Sequence, residues 1–269
     1  MGNEWMLLSF AGCSVLAAGF VSAAALGEVR GHPWKENSAF ALAALILIVC
    51  GGAASLINLG HPKLVLGALH NPGSGIFWEL VTTAALAVCC CGYLIANWLA
   101  GNEKTIRGFA VAGVVCAAAL LVSIGKSFYM PWRTALNTYA VLMAFLGWGV
   151  VAASLSVMTA NALAEKTTQK AEWAAFAVGY LLVWLYPAAL FVGSQESNIE
   201  IMHWLNGELA PLFWGATVVC GMLVPASLAW FGRRHPFSTA AALLFTLIGT
   251  TSFQWLVLKI GMADWQFFG

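Results

Sequence analysis

The sequence predicts an all-α, polytopic membrane protein with eight transmembrane helices and both termini on the outer face. Three observations lead there. Of 269 residues, 61% are hydrophobic and only 9% are charged, against roughly 25% charged in an ordinary soluble domain. The apolar residues fall into eight long runs, each close to the ~20 residues that a spanning helix needs. The basic residues alternate between successive loops instead of being spread evenly. Twelve Lys+Arg and 11 Asp+Glu are too few to cover a soluble protein of this size. That excludes a soluble enzyme, a disordered chain and a basic nucleic-acid binder. The 13 Trp and 27 Gly point the same way, since Gly is frequent in spanning helices and Trp at the membrane–water interface.

The expected spans are residues 6–26, 40–59, 77–99, 109–125, 138–159, 173–192, 211–230 and 239–260, a single transmembrane domain covering 1–269. The first run has Glu4 and no basic residue before it and is long for a signal peptide, so it reads as a true span. The second ends at Asn58 and His61, and the third opens at Glu79. The fourth closes at Lys126, with Tyr129 and Arg133 just beyond, and the fifth opens after Asn137. The sixth follows Lys170 and Glu172, the seventh stops before Arg233 and Arg234, and the eighth carries Gln254 and Lys259. None shows the short polar–apolar alternation of an outer-membrane barrel. Helices satisfy their own backbone hydrogen bonds, which lipid cannot do.

Arg30, Lys35, Lys104, Arg107, Lys166, Lys170, Arg233 and Arg234 lie in the odd-numbered loops. Lys63, Lys126, Arg133 and Lys259 lie on the other side. The positive-inside rule then puts the odd loops in the cytoplasm. The longest loops are on the outside, and there the segment from Glu200 to Glu208 suits a short interfacial helix with Met202, Trp204 and Leu205 on its apolar side.

The seven Cys all fall within spans, without C-x-x-C or Cys/His ligand spacing, so they read as small packing residues and no iron–sulfur cluster is expected in this chain. Gly125-Lys126-Ser127 resembles the tail of a phosphate-binding loop, but Leu120 stands where the first Gly is required, which excludes nucleotide binding. No His sits in mid-span, and a haem held by His61 with His70 or His203 is not expected. The informative residues are the polar ones at the outer span edges: Asn58, His61, Glu79 and Lys126. Ionisable groups in a span are costly and point to function. Their place near one surface, with no mid-membrane cluster, suits a lipid-soluble substrate that enters from the bilayer. The bland reading is that Lys126 snorkels to headgroups and that Glu79 pairs with it. A small transporter, or a purely structural membrane protein with no redox chemistry, remains the alternative.

In this pattern the chain resembles the membrane anchor subunits of DMSO reductase-type molybdenum enzymes, and more distantly the polysulfide-reductase anchors. The resemblance covers most of the chain. It runs from Glu4-Trp5 through Leu59-Gly60-His61-Pro62-Lys63 to Glu79, Trp132 and Asn137-Thr138. It implies a non-catalytic electron-transfer anchor in the inner (cytoplasmic) cell membrane that binds exchangeable menaquinol. It also implies two partners, a four-cluster iron–sulfur subunit and a molybdopterin catalytic subunit. One departure is that Asn58 stands where such anchors commonly have a His implicated in quinol binding. Asn can hydrogen-bond a quinol oxygen but cannot take its proton. The expectation is therefore that His61 or Glu79 is the proton acceptor, with Asn58 and Lys126 completing the quinol site.

Overall fold

A computed structural model of the chain describes residues 4–32, 34–58, 67, 70–99, 101–232 and 235–260. The described residues form helices and turns with no strand. The helices are α1 (Glu4–Arg30), α2 (Trp34–Asn58), α3 (Gly75–Trp98), α4 (Glu103–Phe128), α5 (Ala140–Leu163), α6 (Lys170–Val192), the short α7 (Gln195–Leu205), α8 (Pro211–Phe231) and α9 (Pro236–Ile260). A single 3-10 turn, Thr134–Leu136, lies between α4 and α5.

Among the described residues, eight helices are long and apolar enough to cross a bilayer, with spanning stretches of 21 to 26 residues. At 1.5 Å per residue the α-helical stretches, 23 residues or longer, reach ~35 Å, enough for the ~30 Å hydrocarbon core. The architecture is that of a multi-pass membrane protein. Most helices overrun the expected spans. For example, α4 begins at Glu103 rather than 109, and α1 continues to Arg30 rather than stopping at 26. The physical reason is that backbone hydrogen bonding continues into the headgroup zone, where polar side chains are tolerated, whereas an apolar-run count stops at the first charge.

The helices alternate in direction. We term the surface where α1 begins and α9 ends the near face, and the opposite surface the far face. Large aromatic side chains are exposed toward both: Trp5, Trp132 and Tyr139 at the near face, Trp98, Phe231 and Phe237 at the far face. Such belts are characteristic of the two membrane–water interfaces.

Helix α5 is the core of the bundle, packed against α1, α4, α6 and α9. Its Trp148, Phe145, Leu155 and Met158 are fully buried. The α5–α6 crossing is close because both helices present glycine: a Cβ on Gly147 would lie 2.6 Å from the Gly179 carbonyl oxygen. Small residues at crossings are how helices associate in lipid, where no hydrophobic drive exists between them.

Helix α8 is π-wound from Pro211 to Leu223 and α-helical from Val224 to Phe231. The transition sits at Pro225, which has no N–H to donate. The hydroxyl of Tyr180 on α6 donates instead to the carbonyls of Gly221 (3.2 Å) and Met222 (3.3 Å). Helix α7 lies at the near face and differs from the expected 200–208 segment. It starts earlier, with Ser194 accepting from the Ser197 N–H as its cap, and it buries Ser197, Ile201 and Trp204 while Met202 stays exposed. The i, i+4, i+7 spacing of the buried side defines the inward face, which the apolar residues alone misplaced by one position. Trp204 packs on Phe213 and Phe253, with ring centroids 5.6 and 6.0 Å apart.

Helices α8 and α9 cross closely at a glycine pair, where a Cβ on Gly221 would lie 2.4 Å from the Gly249 Cα. Gly221→Ala forces these helices apart and is expected to cost about 1–3 kcal/mol. Thermal unfolding in mild detergent measures this, and Gly215→Ala, whose Cβ meets open space, is the control.

Candidate functional site

At the near face, α1, α2 and α3 enclose a cavity of ≈ 390 Å³. Phe10, Ile48, Gly52, Ser55, Glu79 and Thr83 are among its lining residues. Its rim includes Val49 and Ile76, which are exposed on the lipid-facing surface, so the cavity opens sideways toward the bilayer. Among the described residues, Glu79 is the only ionisable one in the lining. It lies four residues into α3, about 6 Å along the helix axis from its start.

Ser127 from the last turn of α4 holds the carboxylate, its Oγ 2.5 Å from Glu79 Oε1 and 3.3 Å from the Ser123 carbonyl oxygen. Gly75 makes this contact sterically feasible, because a Cβ there would lie 2.5 Å from Ser127 Oγ. The anticipated Glu79–Lys126 pair is not what meets the carboxylate: Ser127 does, while the Lys126 side chain is exposed and outside the cavity lining. The reason is helical phase. Residues 126 and 127 are 100° apart, so only one of them can face α3. Asn58 ends α2, three residues beyond the lining Ser55. His61 lies outside the described residues.

The sequence did not suggest Thr83. It sits one turn below Glu79 on the same face of α3 and lines the cavity, and its buried hydroxyl has no hydrogen-bond partner. A buried polar group left unpaired costs free energy. This one is available to a ligand in the cavity. An i, i+4 Glu/Thr pair in an apolar run was the readable signal.

Other polar groups at the near face serve packing. Tyr129 donates to Asn137 Oδ1 (3.1 Å) and stacks on Tyr139, and Thr134 donates to Glu196 (2.6 Å). Lys259 lies 5.0 Å from the Trp255 ring centroid. Gln254 is fully buried, with both amide atoms unpartnered.

The densest polar network lies at the far face, where the sequence suggested only loop charges. Arg30 at the end of α1 pairs with Glu172 of α6, and its guanidinium also donates to Asn161 of α5 and to Gln169 (each 3.3 Å). Asn161 Nδ2 donates to Glu172 as well, at 3.1 Å. Gln169 and Glu172 form a reciprocal capping box at the start of α6. Beside it, Tyr93 of α3 and Asn37 of α2 both donate to the Glu28 carboxylate. His32 is buried with both ring nitrogens unpartnered. Burial, then the Lys166 and Arg30 charges, push its pKa below the usual value, against a smaller opposing pull from Glu172.

Among the described residues, no group of three or more His, Cys, Asp or Glu converges as a metal site. No protein-family model matches the chain, and no curated protein matches it in sequence.

Glu172→Gln leaves Arg30 short of its counter-charge in a largely buried position and is expected to destabilise the fold by about 3 kcal/mol, read as a lowered unfolding temperature. His32 gives a pH signature. A histidine whose pKa is depressed by folding binds its proton more readily when unfolded, so its contribution is full at alkaline pH. That contribution declines as pH falls below about 6.5. Thermal stability followed from pH 8 downward should show this decline, and His32→Gln should flatten it.

Proposed function

We propose that the chain is the quinol-binding membrane anchor of a molybdopterin oxidoreductase complex. In this reading menaquinol is oxidised near the outer face, and its electrons pass to an iron–sulfur partner docked there. One observation carries the reading: an apolar cavity open to lipid, with one carboxylate and one unpaired hydroxyl on the same helix face. A quinol head is apolar, with a hydroxyl at each end of its ring. It needs an acceptor for its protons and one or two oriented hydrogen bonds, and Glu79 and Thr83 offer both.

The substrate supplies two electrons and two protons, and the residues of this chain handle the protons. Glu79 takes a proton from the quinol hydroxyl as general base, with the Ser127 hydroxyl orienting its carboxylate. Thr83 donates to, or accepts from, the ring oxygen and fixes the pose. Glu79 then releases its proton toward the near face, about one helical turn away. His61 serves as the second acceptor and Asn58 as a hydrogen-bond partner. Lys126, exposed at the same end of α4, adds positive charge at the exit. The positive-inside rule supports assigning the near face to the outside of the inner (cytoplasmic) membrane. The exposed near-face loops then supply the dock for the four-cluster iron–sulfur subunit and, through it, the molybdopterin subunit.

The test is made on the protein as purified in mild detergent with its partners. Mass spectrometry is expected to find the two partner subunits, and recovery of the chain alone would count against the anchor role. In the intact complex, Glu79→Gln should lower menaquinol oxidation by about 100-fold or more while a menaquinol analogue still binds. Thr83→Val should weaken binding of the analogue more than it slows turnover. Unchanged turnover in Glu79→Gln would overturn the assignment, and failure of the analogue to bind the unaltered protein would leave only a structural anchor.

A further inference from the structure

A second, larger cavity lies on the other side of the bundle, and the quinol reading does not use it. It has a volume of ≈ 430 Å³ and runs between α1, α4, α5 and α6 near the far face. Its floor is α1 and α5, including Ser22, Ala25, Ala153 and Val157. Val111 and Val115 of α4 form one lip and are exposed to the lipid-facing surface. Two of the polar lining residues, Ser22 and Ser154, turn their hydroxyls back to carbonyls of their own helices. That leaves the slot walls apolar along about 12 Å, from Ser22 to Arg30. The far-face end is different, because there the lining includes Arg30 and Glu172.

Arg30 is not saturated. A guanidinium has five N–H donors, and three acceptors meet this one: Glu172, Asn161 and Gln169. Its side chain keeps 17% of its exposure, so the unused donors are reachable from the headgroup zone. The mouth is flanked by further cations. Lys170 is exposed and adjoins the lining Ala171 of α6. Arg107, one turn from Val111 on α4, is exposed and paired with Glu103 at 2.8 Å, and Lys104 lies one turn before it. Counting Lys166, five basic residues stand here against four acids, Glu28, Glu103, Glu165 and Glu172.

We propose that this slot holds an anionic phospholipid of the far-face leaflet, with one acyl chain between α4 and α6 and its phosphate at Arg30, Lys170 and Arg107. An apolar slot ending in unused guanidinium donors selects an amphiphile with an anionic head. The excess of basic over acidic residues at the mouth distinguishes an anionic headgroup from a zwitterionic one, since each basic residue near an anionic surface adds about fivefold to binding. The lipid would also fill the gap between α4 and α6, which the protein leaves open. This site is on the opposite face from Glu79 and is independent of the quinol reading.

The test uses the full chain reconstituted in nanodiscs of equal phosphatidylglycerol and phosphatidylcholine, released and weighed by native mass spectrometry. Retained phosphatidylglycerol in excess over phosphatidylcholine is expected. Lys170→Gln and Arg107→Gln should each lower that retention about fivefold. Val115→Trp, which narrows the slot from its lipid-exposed lip without touching the ion pair, should abolish it. Equal retention of both lipids would overturn the proposal, as would unchanged retention in Val115→Trp. Competition by inorganic phosphate alone would show a headgroup site without the slot, and retention of a menaquinone analogue in place of phospholipid would show the wrong occupant. Either result also overturns the proposal.

Discussion

With 16 of its 24 residues buried, α5 is surrounded by protein over most of its circumference, and the other helices are positioned by how closely they approach it. In lipid there is no gain from hiding one apolar side chain behind another, so approach distance and van der Waals contact decide the packing. The approach is close where side chains are missing: Gly147 meets Gly179 of α6, and Gly19 of α1 lies against the Ala152 carbonyl, where a Cβ would be 2.8 Å away. Trp148 fills the space between α5 and the α8–α9 crossing, near Gly221 and Gly249. Both cavities follow from this arrangement. Helices drawn tightly onto α5 diverge from one another at the periphery, and the gaps between α2 and α3 and between α4 and α6 are where they do so.

Several charged groups follow a second rule: they are placed near the two faces and tied to partners on other helices. Glu79 with Ser127 fastens α3 to α4 at the near face. Arg30, Glu172 and Asn161 fasten α1, α6 and α5 at the far face. The interior between them carries Thr246 and Thr250, whose hydroxyls bond back to their own helix. A chain with 9% charged residues concentrates several of those charges at helix–helix joints.

Much of the fold was legible because spanning length is a strong constraint and apolar runs report it directly. The run boundaries were short by up to six residues because charge marks where lipid ends, not where a helix does. The site was legible in part. Glu79 stood out as a lone carboxylate in an apolar run, but the bland reading paired it with Lys126 and Ser127 was not weighed, since a one-residue difference in helical phase is invisible without the neighbouring helix. Thr83 was hidden because a threonine in a span is usually satisfied by its own backbone, and only the three-dimensional arrangement shows that this one is not. The Arg30–Glu172 joint was overlooked because Glu28, Arg30 and Glu172 looked like loop charges. Long helices carried them into the bundle, and their partners lie far away in sequence.

That last separation has a consequence for biosynthesis. Arg30 and Glu172 are 142 residues apart. At a synthesis rate of about 5–20 residues per second, Arg30 leaves the ribosome roughly 7 to 30 s before its counter-charge exists. The interval is divided into stages: Asn37 reaches Glu28 within nine residues, Tyr93 after 65, and Asn161 reaches Arg30 after 131. Because Arg30 ends its helix, it can wait among lipid headgroups rather than in the hydrocarbon. Helix α1 is thus fastened at its far-face end only after α5 and the start of α6 have been made. The order of locking follows the order in which its distant partners are made.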